Sequence, residues 1–296
     1  MPEKPLFAND YTKENVELVR QTCLYVSTKL GDLLDDLVVV GGLVPSLLIP
    51  DESLPAGEDV HIGTMDLDLG LSLAILDRKR YEDLTQRLHR SGFEPDENEE
   101  GNTTFQRWKV RTSSGLKVTV DFLIPPSLDT DKGGDIRHIE KDFAAVITPG
   151  LRLAFQDKKK VPLKGFTLMG ENAEREIWVC GSGAFIVLKA LAFHQRGENK
   201  DAYDLYFVIR NYGSGIDEVC ECLNPLLKEA ETKNALEILS RDFAEPDSLG
   251  PSRVAQFQYN EANPNLQADV AGHIRELLDK CSKAGSSIGG YSVNIR

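Results

Sequence analysis

A β-branched run that stops on two glycines, Val38-Val39-Val40-Gly41-Gly42, constrains this chain more than any other stretch. Three β-branched residues in succession favour an extended, buried strand. The glycines permit a tight turn, and Pro45 suits the first turn of a short helix beyond it. At such a turn backbone N–H groups can approach a phosphate with no Cβ in the way. Further on comes Gly63-Thr64-Met65-Asp66-Leu67-Asp68-Leu69, and on a strand Asp66 and Asp68 project from one face. Carboxylates about 4 Å apart repel by about 4 kcal/mol at an effective dielectric of about 20, which favours a proton or a cation between them. Magnesium takes carboxylate oxygens together with substrate phosphates, so an aspartate site without His or Cys suits it.

Composition narrows the class. A chain of 296 residues can build one large core or two modest ones, and 41% hydrophobic with 27% charged residues is ordinary for a globular protein. No apolar run approaches the roughly 20 residues of a membrane span, and Met1-Pro2-Glu3-Lys4 lacks the apolar stretch of a signal peptide. A cytoplasmic protein is the expectation. The five cysteines are scattered, and Cys220 and Cys222 are too close in sequence to share a helix face as zinc ligands. A net charge of −13 argues against non-specific binding of nucleic acid. Lys109, Arg111 and Lys117 on one hairpin, and Lys158-Lys159-Lys160, could still line a basic groove, although lysines that blunt edge strands look the same.

In order along the chain, residues 12–30 carry Val16, Val19, Cys23, Val26 and Leu30 at helical spacing, with Gly31 placed to end the helix. Leu37–Val40 is the first strand, Pro50–Gly63 a polar loop, and Asp66–Leu73 the second strand. Asp77 reads as the cap of a helix to about Arg90 that buries Tyr81, Leu84 and Leu88. Thr103–Arg111 and Leu116–Ile124 flank the turn signal Ser113-Ser114-Gly115. In the second of these strands Val118, Val120, Phe122 and Ile124 fill one face and Asp121 falls on the other. An acid in so apolar a strand needs a partner, which makes Asp121 a candidate third carboxylate. Pro125–Gly150 reads as an exposed loop, followed by short strands at 151–156, 161–168 and 176–180. After Gly181 helices follow: one from a Ser182 cap to Arg196, then 199–210, 217–227, 232–239 and 266–281. The expected architecture is therefore α+β over residues 1–180 and a helical carboxy-terminal domain over 181–296.

A second constellation lies in the helical part. Lys189 and Arg196 are seven residues apart and share a helix face, where two cations could hold a polyphosphate. Asp201 and Asp204 share a face of the next helix. Asp201 reads as structural and Lys189 as functional, while Asp204 could simply anchor Arg196 or Lys189. The five histidines lack the spacing of a zinc site, and no Walker A or Gly-x-Ser-x-Gly pattern is present.

Together Gly41-Gly42, Thr64-x-Asp66-x-Asp68, Lys189-x-x-Ala192-x-x-x-Arg196 and Asp201-x-x-Asp204-Leu205 resemble the motifs of the AbiEii/AbiGii-type abortive-infection nucleotidyltransferases. These are toxins of bacterial toxin–antitoxin systems within the polymerase-β-like nucleotidyltransferase superfamily. The likeness runs from about residue 37 to 210. It implies a mixed sheet with helices, and Gly41, Gly42 and Thr64 on the nucleotide. It also implies Mg2+ on Asp66 and Asp68, with Asp121 as the superfamily's third carboxylate. Lys189, and Arg196 with it, would meet nucleotide phosphate, and Asp204 would support or perform catalysis. The helical domain would thus supply Lys189 and Asp204 to the site. The chain departs from the pattern in the 23 residues between Gly42 and Asp66, where the extra Pro50–Gly63 segment could form a lid or a partner-binding loop.

The expected activity is transfer of a nucleotide from a nucleoside triphosphate to a hydroxyl of tRNA or protein. A cognate antitoxin would be a partner, and no membrane would be involved. The competing expectation is a non-catalytic nucleotide- or partner-binding module on the same fold.

Overall fold

The computed structural model describes residues 5–72, 78–112 and 115–288. It divides into two compact units: residues 11–47 with 62–180, and residues 5–10 and 48–61 with the chain from 181 on. Asp77, Leu73 and the Ser113-Ser114 turn lie outside the described residues.

The first unit begins with helix α1 (Lys13–Leu30). Thr12 caps it by accepting the Asn15 N–H at 3.2 Å, and Gly31 ends it at φ +57°. Its buried face carries Val19, Cys23, Val26 and Leu30, as the helical spacing requires. Strand β1 (Leu37–Val40) is buried along its whole length and runs through a 3-10 turn, Gly41–Leu43, into α2 (Val44–Leu48). Strand β2 (Asp66–Leu71) and helix α3 (Arg78–Arg90) follow, and α3 buries Tyr81, Leu84 and Leu88. Then come β3 (Glu94–Glu97), β4 (Thr103–Arg111), β5 (Lys117–Ile124), β6 (Ile136–Glu140), β7 (Phe143–Ile147), the short α4 (Leu153–Gln156), β8 (Lys158–Phe166) and β9 (Asn172–Cys180).

These strands form one nine-stranded mixed sheet in the order β3-β4-β5-β2-β1-β9-β8, with the β6–β7 hairpin joined to β5 through β7. Strands β1 and β2 are antiparallel and place Val40 opposite Asp68. Strands β2 and β5 are parallel and place Asp68 opposite Asp121. The opposite edge of β5 has two successive partners: β4 as far as Arg107 opposite Asp121, then β7 from Val146 opposite Leu123. The sheet therefore forks beside Asp121.

Two sequence expectations change in this unit, and one strand is added. Residues 125–150 are not simply a loop, because β7 buries Phe143, Ala144, Ala145 and Ile147. Its Ala-Ala pair has little β propensity, and long-range packing supplies the strand instead. Residues 151–156 form a helical turn, not a strand. Strand β3 was not legible because Glu94-Pro95-Asp96-Glu97 is almost wholly polar. Its Asp96 is nevertheless buried and paired with Lys109 and Lys117.

The second unit is helical: α5 (Ser182–Arg196), α6 (Asn199–Asn211), α7 (Ile216–Leu223), α8 (Ala230–Phe243), α9 (Leu249–Tyr259) and α10 (Pro264–Ile288). Gly181, rather than Ser182, is the N-cap of α5. Helix α9 was hidden by Gly250-Pro251. Proline is tolerated in a first turn, and the glycine lets the helix lie against Phe243, whose ring would stand 2.2 Å from an added Cβ. Segment 48–61 is anchored in this unit by a Glu58–Arg210 ion pair at 2.8 Å and by His61, which is fully buried. It is thus docked on the helical unit. No helix among the described residues is long and apolar enough to cross a membrane.

Candidate active site

In the sheet unit, alternation along β2 buries Leu67 and Leu69 and leaves Asp66 and Asp68 half-buried on the other face. Thr64 is buried, and its hydroxyl donates to Asp66 Oδ1 at 3.0 Å, so it orients that carboxylate. Gly41 adopts φ +72°, and a Cβ there would stand 1.9 Å from Asp68 Oδ2. The first glycine of the turn is therefore required by Asp68 itself: only a residue without a side chain lets the main chain lie against this carboxylate. Gly42 is buried beside it.

Asp121 stands level with Asp68, and its partner is Arg107, which the sequence reading missed. The guanidinium forks onto the carboxylate, with Nε donating to Oδ1 at 2.7 Å and Nη2 to Oδ2 at 2.6 Å. A signal existed: two strands folded about the turn at 112–116 pair Arg111 with Lys117, and counting back four residues reaches Arg107 and Asp121. Burial raises the Asp121 pKa, and Arg107 opposes that rise. The Arg107 pKa rises in turn through its bonds to Asp121 and the further fields of Asp66 and Asp68. One guanidinium thus feels all three acids.

The magnesium implied by the resemblance fits Asp66 and Asp68, two hard oxygen donors on one strand face. Arg107 donates to both oxygens of Asp121, and no group of three or more His, Cys, Asp or Glu among the described residues is gathered as a metal site. Two carboxylates with substrate phosphates and water would complete a magnesium shell without the third.

At the fork of the sheet a cavity of about 300 Å³ opens beside this pair. Asp121 and Arg107 line one part of it, Val146 supplies an apolar wall, and Glu97, Asn98, Thr104 and Gln106 supply polar groups.

The helical unit carries a buried ion network. Lys189 Nζ lies 2.9 Å from Asp201 Oδ1 and 2.8 Å from Asp204 Oδ2. Arg196 forks onto Asp201 through Nε at 2.6 Å and Nη2 at 2.8 Å. Lys200 pairs with Asp204 one turn along α6. His61 Nε2 lies 2.8 Å from Asp204 Oδ1, and because an ionised carboxylate only accepts, this nitrogen carries the proton. The imidazole stacks on Tyr203 and meets Phe207 edge-on. Burial, reinforced by Lys200, lowers the His61 pKa to about 4. Burial works against ionised Asp204, but Lys189 and Lys200 overcome it and hold the acid well below the usual carboxylate range. Lys189 is raised despite its burial, by Asp201 and Asp204. Asp201 and Asp204 both pair with Lys189 in this arrangement. His61 had no local sequence signal, because its partner is 143 positions away.

The α+β architecture, with its glycine turn and paired acids, agrees with the nucleotidyltransferase likeness read from the sequence. The family model described as nucleotidyl transferase AbiEii toxin, Type IV TA system, matches residues 63–283. The chain belongs to this family. The matched segment takes in Thr64, the three acids and the Lys189–Asp204 region; the glycine turn and His61 precede it. No curated protein gives a significant match. Among solved structures, an antigenic nucleotidyltransferase-like protein from Paracoccidioides brasiliensis is similar at 18% identity and a TM-score of 0.40, covering 79% of this chain and 95% of that one. The Bradyrhizobium diazoefficiens CD-NTase CdnG in complex with GTP is similar at 10% identity and a TM-score of 0.22, covering 95% and 87%.

Proposed function

We propose that the chain transfers a nucleotide from a magnesium-bound nucleoside triphosphate to a hydroxyl of a macromolecule, as the toxin of a pair whose antitoxin neutralises it. The observation that carries this reading is the alignment of Asp66 and Asp68 on β2 with Asp121 level beside them, all within the field of Arg107. Asp66 and Asp68 would hold magnesium, which when bound neutralises phosphate charge. Thr64 keeps Asp66 oriented, and the Gly41-Gly42 turn would face the triphosphate.

In the transfer, the acceptor oxygen forms a bond to the α-phosphorus. The bond from that phosphorus to the bridging oxygen breaks, and pyrophosphate leaves with the electron pair. The acceptor proton would pass to Asp121, the acid the register places level with Asp68. For Lys189, Arg196 and Asp204 the ion network supports a scaffold role in the helical unit beside the nucleotide and catalytic roles the resemblance implies.

The Asp66→Asn, Asp68→Asn double variant tests the assignment. Transfer of labelled nucleotide and pyrophosphate release should fall by about 100-fold or more, with circular dichroism unchanged. Full activity in that variant would remove both acids from the site. The Arg107 fork relieves repulsion among the acids even without metal, which favours a non-catalytic nucleotide-binding module as the second reading. Calorimetric binding of Mg-NTP with no label passed to RNA or protein would establish that alternative.

A further inference from the structure

We propose that Arg107 couples metal binding to nucleotide binding. Without a nucleotide its guanidinium competes with a divalent cation for the acids of the sheet. With a nucleotide it exchanges its fork from Asp121 to a triphosphate oxygen pair. This rests on the reading of Asp66 and Asp68 as a magnesium-nucleotide site.

Charge is the first support. The strand registers place Asp68, Asp121 and Arg107 level on three neighbouring strands, so these side chains share one face of the sheet. Arg107 is held charged by its bonds to Asp121 and, beyond them, by the fields of Asp66 and Asp68. A cation stabilised by all three acids repels a divalent ion that approaches the same acids. The opposition is one of charge and not of blockage, because each Asp121 oxygen keeps a second lone pair beside its hydrogen bond to Arg107.

Shape and room are the second. A planar pair of N–H donors matches phosphate as well as carboxylate, so moving from one to the other conserves both hydrogen bonds. Arg107 is the outer partner, its side chain 38% exposed against 13% for Asp121. Both residues line the cavity of about 300 Å³ at the fork of the sheet, so the guanidinium can leave Asp121 without opening the core. A triphosphate thus offers the displaced fork a new acceptor. By linkage, each ligand then tightens the other.

The test uses the full chain, with Mn2+ as the metal probe, followed by paramagnetic resonance. The nucleotide probes are the four α,β-methylene nucleoside triphosphates in turn, which cannot transfer. Without nucleotide, Arg107→Gln should bind Mn2+ at least about tenfold more tightly than the parent, and Arg107→Lys, which keeps the charge, within about threefold of it. At saturating Mg2+, the analogue that binds the parent should bind Arg107→Gln at least about tenfold more weakly. A loosened site weakens both ligands, so shifts of opposite sign mark the coupling. Mn2+ affinity in Arg107→Gln equal to or below that of the parent overturns the proposal. If that variant does not fold, Arg107→Lys decides: it should lose about tenfold in analogue affinity, and an unmoved value overturns the exchange. Labelled nucleotide separates this from the transferase reading. Opposite shifts in a chain that labels no macromolecule keep the coupling and overturn the transferase. Full transfer with no change in metal affinity does the reverse.

Discussion

Arg107 decides how the acids of the sheet can be used. Asp121 lies on an otherwise apolar strand, and removing it from water without a counter-charge would be costly. The forked guanidinium supplies two charge-assisted hydrogen bonds to that carboxylate. Arg107→Met should therefore cost about 1–3 kcal/mol in urea unfolding, a range set low because the Arg107 side chain is 38% exposed and screened. Arg107→Lys should recover only part of it, because an ammonium cannot fork. A variant as stable as the parent would mean that Asp121 is solvated rather than held. Gly41 illustrates a different residue-scale point. Its glycine is explained by the close approach to Asp68, a contact between residues 27 positions apart that a turn signal alone does not reveal.

Among the elements, α5, α6 and segment 48–61 are joined by charge as well as by apolar packing. Lys189 on α5 serves two acids of α6, and His61 brings the segment onto one of them. Lys189→Met should destabilise the helical unit by about 3–5 kcal/mol, because it leaves two buried carboxylates short of a cation. Thermal melts with and without Mg-NTP check this: lost nucleotide affinity at unchanged stability would return Lys189 to a direct binding role.

The same network sets a pH dependence. The unfolded chain protonates His61 near pH 6.5, and the folded chain only near 4. Between those values the unfolded state binds more protons, so stability falls as pH falls, by about 3 kcal/mol across the window. Asp204 is ionised in both states there and begins to cost stability only below about pH 4. His61→Gln keeps a donor for Asp204 without an ionisable ring, and should flatten the urea-midpoint profile between pH 6.5 and 4. An unchanged slope would assign that dependence to another group.

Over the whole molecule the net charge is −13, with Lys117 paired to Asp96 and Lys158 lying over the Trp178 ring. Filter binding at about 0.1 M salt should retain no total RNA on the full chain, because counterion release needs unpaired cations facing phosphate. Retention at low micromolar protein would show a basic groove that the ion pairs conceal.

Much of this architecture was legible beforehand because it depends on local period. The Val38–Val40 run, the alternation around Asp121 and the apolar steps of α1 and α3 each report a face that must be buried, and burial follows. Asp66, Asp68 and Asp121 were found for the same reason: a charge that breaks an apolar pattern is visible without a structure. Strands β3 and β7 and helix α9 were not visible. Polar, alanine-rich or glycine–proline segments acquire their conformation from neighbours far away in the chain. By itself the sequence determined the strand–turn–strand frame, the acids on it and the family likeness. Only the tertiary structure decided which charges meet: Arg107 on Asp121, Lys189 between Asp201 and Asp204, and His61 on Asp204. Side-chain period is a local property, whereas the neutralisation of a buried charge is settled by whichever distant group the fold brings within about 3 Å.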